Sequence, residues 1–315
     1  MRHFNNLDQV EVRLIAELEM NPKQTHAELA SKLGLSQPTV RAKLQRLFDD
    51  KIINTVCVPD PAALGYSTCV IIGIKTHPSE LLTVADRLAD FETVHHIMLC
   101  IGRFDILAWA LFQKRNDFLD FLVNEVGNLS GVLSTENMLT LRHVKIYDPL
   151  FPYNGDSRAI QASVKRLDAL DSALIKELQI DARQNARDVA KKLGTSQSTV
   201  LRRIRKLQDD GIIRIVTLAD PFSLGYEGVA SVCMTFDPAK VNAGARIIAS
   251  YSNVLTVSIC AGRYDIVAWA MFREMSELSD FVTLELSKIP GLQHSETMAN
   301  LKLLKTTHKY LRDDT

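Results

Sequence analysis

Apolar residues recur at intervals of three or four along three successive stretches between residues 7 and 47, with polar and charged residues between them. This spacing predicts three amphipathic helices, because it places the apolar side chains on one face of each. The predicted inward positions are Leu7, Val10, Leu14, Ile15 and Leu18, then Ala27, Ala30 and Leu33, then Val40, Leu44 and Leu47. We therefore expect a small three-helix core.

The second and third predicted helices carry recognisable capping residues. Thr25 is a predicted N-cap, and Glu28 three positions later completes a capping box. Gly34 is typical of the left-handed residue that ends a helix, and Ser36 caps the helix that follows. Two helices joined by so tight a turn, after a supporting first helix, predict a helix-turn-helix.

The whole pattern occurs twice, displaced by 160 residues without a gap. Over residues 7–66 and 167–226, 26 of the 60 aligned pairs are identical. The second copy places caps at Asn185 and Ser196, a glycine at Gly194, and inward apolar residues at Val189, Leu193, Val200, Ile204 and Leu207. Such a long period indicates duplication of a complete folding unit.

A strand-like texture follows each predicted helix-turn-helix. In the first copy, strands are predicted over 68–75, 94–101, 106–112 and 132–144, with helices over 79–90 and 116–126 between them. The inward positions of the two helices are expected to be Leu82, Ala85, Leu88 and Ala89, then Phe118, Leu119, Leu122 and Val126. The order strand, helix, strand, strand, helix, strand is that of a ferredoxin-like sandwich.

The predicted fold class is therefore α+β, a winged helix-turn-helix followed by a ferredoxin-like βαββαβ sandwich, duplicated. Two prolines and an Asn-Gly pair mark a linker between the copies. The predicted division is 1–60 and 167–220 for the helix-turn-helix domains, 61–147 and 221–315 for the sandwiches, and 148–166 for the linker.

Composition narrows the functional classes. With 46% hydrophobic and 23% charged residues, the 315-residue chain has the composition of a globular protein. It contains no apolar stretch long enough to span a membrane, and residues 1–6 do not begin a signal peptide, so we expect a cytoplasmic protein without a membrane partner. Five cysteines without Cys-x-x-Cys spacing are expected to be buried thiols. No metal, cofactor or catalytic residue is predicted.

The third helix of each copy is the candidate for reading double-stranded DNA in the major groove. The candidate DNA-binding residues are Gln37, Thr39, Arg41, Lys43, Arg46, Gln197, Ser198, Thr199, Arg202, Arg203, Arg205 and Lys206. Net charge is zero, so attraction to DNA must come from local patches. Residues 167–214 contain ten Lys or Arg against seven Asp or Glu, and residues 7–54 contain seven of each. The alternative is an ordinary solvated helix face.

Three stretches occur in the same order in both copies. In the first copy they are Leu7-Asp8 to Ile52-Ile53, then Leu64-Gly65-Tyr66, then Gly102-Arg103-Phe104-Asp105. This ordered series resembles the leucine-responsive/asparagine regulator (Lrp/AsnC) family of transcription factors. The resemblance implies a ligand-sensing sandwich that forms dimers and larger homo-oligomers and responds to an amino acid or a related metabolite. It places the effector at Gly102, Arg103, Asp105, Gly262, Arg263 and Asp265. The alternative is that these glycines and aspartates only shape the turn.

Most members of that family carry one such unit, whereas this chain carries two. Fusion would turn a homodimer into an intramolecular pseudo-dimer with two non-identical reading helices. Either an asymmetric operator or one active and one structural reading helix would follow. Exposed sandwich edges are the expected place for association with further chains.

The alternative function is that of the sirohaem decarboxylases, which resemble this architecture but act on a tetrapyrrole. Those enzymes carry histidines in the sandwich, and here only His95 and His96 are adjacent, while the second copy has Leu255 and Thr256. We expect the two histidines to be surface or sheet-edge residues. Trp109 and Trp269 are interpreted as packing residues in preference to ligand-stacking ones, and a role for the Cys100 and Cys260 thiols is an open alternative.

Overall fold

The computed structural model describes residues 7–146 and 167–307, so the predicted linker at 148–166 lies outside the described residues. The first copy contains the helices α1 (Gln9–Met20), α2 (His26–Leu33), α3 (Gln37–Asp49), α4 (Leu81–Asp90) and α5 (Arg115–Asp120), and the strands β1 (Ile53–Pro59), β2 (Thr68–Thr76), β3 (Val94–Ile101), β4 (Ile106–Phe112) and β5 (Val132–Lys145). The second contains α6 (Ala169–Ile180), α7 (Ala186–Lys192), α8 (Gln197–Asp209), α9 (Val241–Ser250) and α10 (Met275–Asp280), with β6 (Ile213–Ala219), β7 (Gly228–Phe236), β8 (Val254–Ala261), β9 (Ile266–Phe272) and β10 (Leu292–Thr306).

The predicted caps are confirmed. Thr25 and Glu28 form a reciprocal capping box at the start of α2, and Gly34 ends that helix with a φ of 69°. Ser36 and Ser196 accept the amides of Thr39 and Thr199 at the starts of α3 and α8. Because each cap satisfies a backbone N–H that the helix leaves unpaired, the turn before the third helix is closely defined.

The three-helix cores form as predicted except in α2. Ala27 is exposed, and the buried residues of this helix are Leu29 and Ala30. The inward face passes through positions 26, 29, 30 and 33, the i, i+3, i+4, i+7 series. Leu29 brings far more apolar area to that face than Ala27 would, which accounts for the rotation of α2 relative to the prediction.

Contacts divide the chain into two compact units, with divisions after Leu64 and after Gly225. One unit holds both helix-turn-helix copies and the other holds both sandwiches. In the helix-turn-helix unit, β1 and β6 pair antiparallel, with Val56 opposite Val216 at the centre of the ladder. The strand that follows the third helix of each copy thus takes its partner from the other copy.

The helix-turn-helix cores also exchange side chains. Cys57 and Ala63 of the first copy belong to the core built by α6, α7 and α8. Ala219 and Leu224 of the second copy pack against the core built by α1, α2 and α3. Because each core is completed by the other copy, separating the two would expose apolar surface on both.

In the sandwich unit, eight strands form one closed sheet in the order β10-β3-β4-β2-β5-β8-β9-β7, with β7 bonded to β10. Each copy contributes four strands in the ferredoxin-like order, which confirms the βαββαβ prediction. The last strand of each copy crosses to the other, through the pairs β5–β8 and β10–β3. Every strand therefore has two bonded neighbours, and the predicted exposed sandwich edges are wrong, because closure pairs them.

Helices cover the outside of this sheet over two separate cores. The predicted 116–126 helix is in three parts: α5, a π-helical segment Phe121–Glu125 and a 3-10 turn Val126–Asn128. Leu82 and Leu119, expected to point inward, are exposed, because Val84 and Phe121 occupy those faces. Among the described residues, the helices include none with the length and apolar character needed to cross a membrane.

Candidate functional site

Most of the predicted DNA-binding side chains lie on the exposed faces of α3 and α8. The exposed ones are Gln37, Thr39, Arg41, Arg46, Gln197, Ser198, Arg202, Arg205 and Lys206, and the half-buried ones are Lys43, Thr199 and Arg203. The buried side chains of α8 are Val200, Ile204 and Leu207, so its remaining faces are free of the core. Both helices therefore present their N-terminal turns to solvent.

Lys43 and Arg203, at equivalent positions, are bonded to the preceding helices. The ammonium of Lys43 binds Asp8 and lies 3.6 Å from Glu11. The guanidinium of Arg203 binds Asp168 and, at 2.8 Å, Asp171. The hydrogen bond to Asp8 raises the pKa of Lys43, and the Asp171 amide and Arg203 together lower the pKa of Asp168. We call these two sets of ion pairs the clamps.

The other basic side chains differ in how far their charge is already neutralised. Arg46 lies 2.9 Å from Glu11 and also faces Asp50 at 3.6 Å. Within the described parts of the chain, Arg41, Arg202, Arg205 and Lys206 make no salt bridge to an acidic side chain. The uncommitted basic side chains are therefore one on α3 and three on α8.

Contacts between the copies hold the C-terminal ends of the reading helices. Lys23 donates a 2.9 Å hydrogen bond to Gln208 on α8. At the equivalent place, the guanidinium of Arg183 lies 3.8 Å from the centre of the Phe48 ring on α3, a cation–π contact. Together with the β1–β6 ladder, these contacts fix the position of α3 relative to α8.

The predicted effector turns lie between β3 and β4 and between β8 and β9. Gly102 and Gly262 have φ values of 139° and 148°, which only glycine adopts without strain. The carboxylate of Asp105 accepts hydrogen bonds from the Thr76 amide at 2.8 Å and from Lys75 at 2.6 Å. Asp265 accepts the Phe236 amide at 2.7 Å. Both aspartates thus bind the neighbouring strand.

The arginines of the two turns meet in a charged cluster that sequence reasoning missed. Arg103 donates to Glu136, with its Nε 3.0 Å from the carboxylate. Arg263 lies 3.7 Å from the same Glu136 and 3.5 Å from Glu296. The hydroxyl of Tyr264 donates to Glu296 at 2.6 Å. The glutamates at equivalent positions gave the only sequence signal, since pairing them with the arginines requires the crossed strands.

The remaining candidates lie in the sheet. His95 is buried, so its prediction as a surface or edge residue is wrong, because β3 lies between β4 and β10. His96 is near Thr306, 3.1 Å away, and Trp109. Trp109 and Trp269 pack against the core enclosed by the closed sheet. Burial raises the pKa of both Cys100 and Cys260 to about 12, so these thiols stay protonated at neutral pH.

Profiles of two protein families match the chain, each of them twice. The AsnC-type helix-turn-helix domain matches residues 7–47 and 167–208. The Lrp/AsnC ligand binding domain matches residues 69–150 and 229–310. The chain belongs to the Lrp/AsnC family.

Curated Lrp/AsnC relatives match about one copy of this chain. The HTH-type transcriptional regulator FL11 of Pyrococcus horikoshii is 34% identical over 142 residues, which is 45% of this chain and 93% of that protein. The uncharacterized HTH-type transcriptional regulator PF1231 of Pyrococcus furiosus is 36% identical over 132 residues, 42% of this chain and 89% of that protein. This Lrp/AsnC chain therefore carries two copies of a unit that these relatives carry once.

A solved structure shares the two-copy fold. The sirohaem decarboxylase NirDL aligns with a TM-score of 0.66 at 16% identity, over 94% of this chain and 93% of that one. Identity this low shows the fold alone. In the described part of this Lrp/AsnC chain, no group of three or more His, Cys, Asp or Glu side chains is arranged to hold a metal ion.

Proposed function

We propose that the chain is a sequence-specific transcription regulator that binds double-stranded DNA as a fused pseudo-dimer. Membership of the Lrp/AsnC family supports DNA binding. The observation that carries the proposal is that α3 and α8 are both exposed, both capped and joined across the β1–β6 ladder. Two reading helices in one frame suit two half-sites about one DNA turn apart.

Duplex binding measured against salt concentration tests this function. Neutralising phosphates releases counterions, so raising salt from about 50 to about 200 mM should weaken binding by about a thousandfold if six or more phosphates are contacted. Replacing Arg202, Arg205 and Lys206 by Ala should reduce that salt dependence, because each removes an uncommitted charge. Arg87→Ala, an exposed arginine on α4 of the sandwich unit, is the control. Equal binding by the two variants would contradict the proposed surface.

We further propose that an amino acid or a related metabolite modulates DNA binding through the turns at Gly102–Asp105 and Gly262–Asp265. The match to the Lrp/AsnC ligand binding domain supports a small-molecule site in this unit. Arg103 and Arg263 are the groups suited to a carboxylate, since a guanidinium binds carboxylates through two parallel hydrogen bonds. They already hold Glu136, so an effector carboxylate would compete with that residue.

Calorimetric titration with each of the common amino acids tests the effector. The expected result is one binder that also changes duplex affinity by about 5- to 150-fold, the usual range of coupling between two sites. Arg103→Ala and Arg263→Ala should weaken its binding, whereas Arg87→Ala should not. If none of the common amino acids changes the affinity for the duplex, modulation by an amino acid is contradicted.

Association with further copies through the sandwich unit is the remaining part of the proposal. Because closure of the sheet leaves no strand edge for this, contact would use its outer surface. Leu141 and Leu301, at equivalent positions on β5 and β10, are both exposed there. Sedimentation over a range of concentrations should show species larger than one chain, and Leu141→Ser with Leu301→Ser should return it to a single chain.

The sirohaem decarboxylase alternative rests on the shared fold. The solved complex of NirDL contains an iron-uroporphyrin III analogue. Adding such a tetrapyrrole to this chain in equal amount tests that function directly. A shifted Soret band with no salt-dependent duplex binding would replace the regulator proposal by the enzyme alternative.

A further inference from the structure

The two reading helices have equivalent supports. Ser36 and Ser196 cap them in the same way, and the Lys43 and Arg203 clamps bind them to the first helix of each copy. Their inward positions are equivalent: Val40 and Val200 are both buried, as are Leu44 and Ile204, and Leu47 and Leu207. The caps and clamps thus hold both helices with their N-terminal turns exposed, so both are available to contact a duplex.

The exposed faces of the same two helices are not equivalent. Arg41 and Ala42 are both exposed on α3, where α8 carries Leu201 and Arg202, also both exposed. Leu201 leaves 43% of its surface accessible to solvent. Three other exposed pairs also differ: Pro38 with Ser198, Gln45 with Arg205, and Arg46 with Lys206. The divergence thus includes exposed positions from which a helix in the major groove can reach base edges.

The change at the first pair of positions moves an arginine along the helix. One residue corresponds to a rotation of about 100° and a rise of about 1.5 Å. The guanidinium of Arg202 therefore leaves its helix in a different direction from that of Arg41. Two helices with equivalent supports would therefore direct these groups toward different base pairs of equivalent half-sites.

We infer that the chain recognises a non-palindromic operator with two unlike half-sites, a conclusion that rests on the proposed DNA-binding function. Where Arg41 faces the groove, the first half-site carries guanine, whose O6 and N7 accept two hydrogen bonds from a guanidinium. At the equivalent base pair of the second half-site, Leu201 contacts the methyl group of thymine, and Arg202 selects guanine at a neighbouring position. Arg41, Ala42, Leu201 and Arg202 are the specificity-determining residues.

Selection from a duplex library tests this inference. Both half-sites are randomised at a spacing of about one helical turn, and the full chain is used. Two transplant variants complete the design: Arg41→Leu with Ala42→Arg, and Leu201→Arg with Arg202→Ala. Each variant keeps one arginine and one apolar residue, so net charge and phosphate attraction stay constant. All four positions are exposed, and thermal unfolding of the variants should match the wild type.

The wild type should enrich sites whose halves differ. The first variant should enrich sites with two halves of the second type, and the other variant sites with two halves of the first type. Each variant should bind the wild-type site about tenfold or more weaker than its own, since a bidentate arginine–guanine pair discriminates by that much.

Other results of the selection would contradict either the unlike half-sites or DNA binding itself. Wild-type enrichment of palindromic sites, or of one half-site beside random sequence, would overturn the inference and leave DNA binding intact. No enrichment together with no salt-dependent duplex binding would overturn the proposed function itself.

Discussion

The two copies differ from each other in different ways in the helix-turn-helix unit and in the sandwich unit. In the helix-turn-helix unit, most equivalent core residues are kept, as with Leu14 and Leu174 or Ile15 and Ile175. In the core enclosed by the closed sheet of the sandwich unit, Phe104 of the first copy corresponds to Tyr264 of the second. Ile71 of that core corresponds to Ser231, which is buried and donates to Asn300 at 3.2 Å. The apolar cores of the three-helix bundles thus differ by small apolar replacements, whereas the sandwich core carries polar groups in the second copy where the first is apolar.

Fusion explains why internal divergence is tolerated. In a symmetric dimer every interface substitution appears twice and must complement itself. In this chain a substitution in one copy leaves the equivalent position of the other copy unchanged. The turns at Gly102–Asp105 and Gly262–Asp265 are unequal in this way, since Arg263 faces two glutamates and Arg103 donates to one.

The largest expected effect is a difference in stability between alanine variants of the two turn glycines, Gly102 and Gly262. A Cβ at Gly262 would lie 2.6 Å from the Asn137 carbonyl oxygen, whereas at Gly102 the nearest atom is the flexible Met298 side chain at 3.1 Å. Both have φ values that cost other residues about 1–3 kcal/mol. Gly262→Ala should therefore lower the free energy of unfolding by about 3–5 kcal/mol, and Gly102→Ala by about 1–3 kcal/mol, because only at Gly262 would the Cβ approach backbone closer than 3.0 Å, whereas at Gly102 the nearest backbone atom, the Thr297 carbonyl oxygen, would be 3.3 Å away.

Urea unfolding of the two alanine variants provides the measurement. Equal losses would mean that the two turns are structurally equivalent. Gly228→Ala serves as the control, since its nearest neighbour would be 3.5 Å away, an ordinary contact.

A smaller effect separates the crossing strands and depends on pH. The Nδ1 atom of His143 on β5 lies 2.9 Å from the Ser258 hydroxyl, and burial lowers the pKa of the imidazole to about 4. The equivalent residue on β10 is Leu303, which does not titrate. The unfolded histidine has a pKa of about 6.5, so it binds protons that the folded one does not between pH 6.5 and 4. The free energy of unfolding is therefore unaffected by His143 above pH 6.5, and His143 lowers it by up to about 3 kcal/mol as pH drops to 4.

His143→Leu, which copies the second strand into the first, should remove that acid loss. Unfolding free energies at pH 7.5 and pH 4.5 provide the measurement. The variant should be close to the wild type at pH 7.5 and more stable than it at pH 4.5. An unchanged difference between the two pH values would show that other groups cause the acid loss.

Local patterns were enough to predict the caps, the order of the elements and the exposed faces of α3 and α8. Thr25, Glu28, Gly34 and Ser36 act over a few residues, and their effects follow from helix geometry. The same local reasoning failed at Ala27, because spacing alone leaves two neighbouring faces possible until side-chain size decides.

Pairing between distant strands could not be predicted from spacing. The β5–β8 and β10–β3 ladders join residues more than a hundred positions apart, and closure of the sheet depends on both. The burial of His95 and the meeting of Arg103, Arg263 and Glu136 follow from those ladders. Each residue was visible in the sequence, but its partner was not.

The smallest effect concerns the hydroxyl that distinguishes the second turn. Tyr264 is buried and donates to Glu296, as Phe104 cannot. Burial opposes ionisation of Glu296, but the bonds from Tyr264 and His294 and the charges of Arg103 and Arg263 outweigh it and lower its pKa. A carboxylate with a lowered pKa stabilises the fold above its unfolded pKa of about 4.3, and that contribution is lost as pH falls through the folded value.

Tyr264→Phe, which makes the second turn like the first, should lower the free energy of unfolding by about 1–2 kcal/mol at pH 7, since it removes a hydrogen bond to a charged acceptor. The loss should shrink as pH falls through the pKa of Glu296, because a protonated carboxyl is a weaker acceptor than a carboxylate. Tyr251→Phe is the matched control, because that hydroxyl lies 3.4 Å from Glu285 and is partly exposed, so about 0.5 kcal/mol or less is expected. A Tyr264→Phe loss that does not change with pH would mean that the ring packs the turn and that the hydroxyl contributes no asymmetry to it.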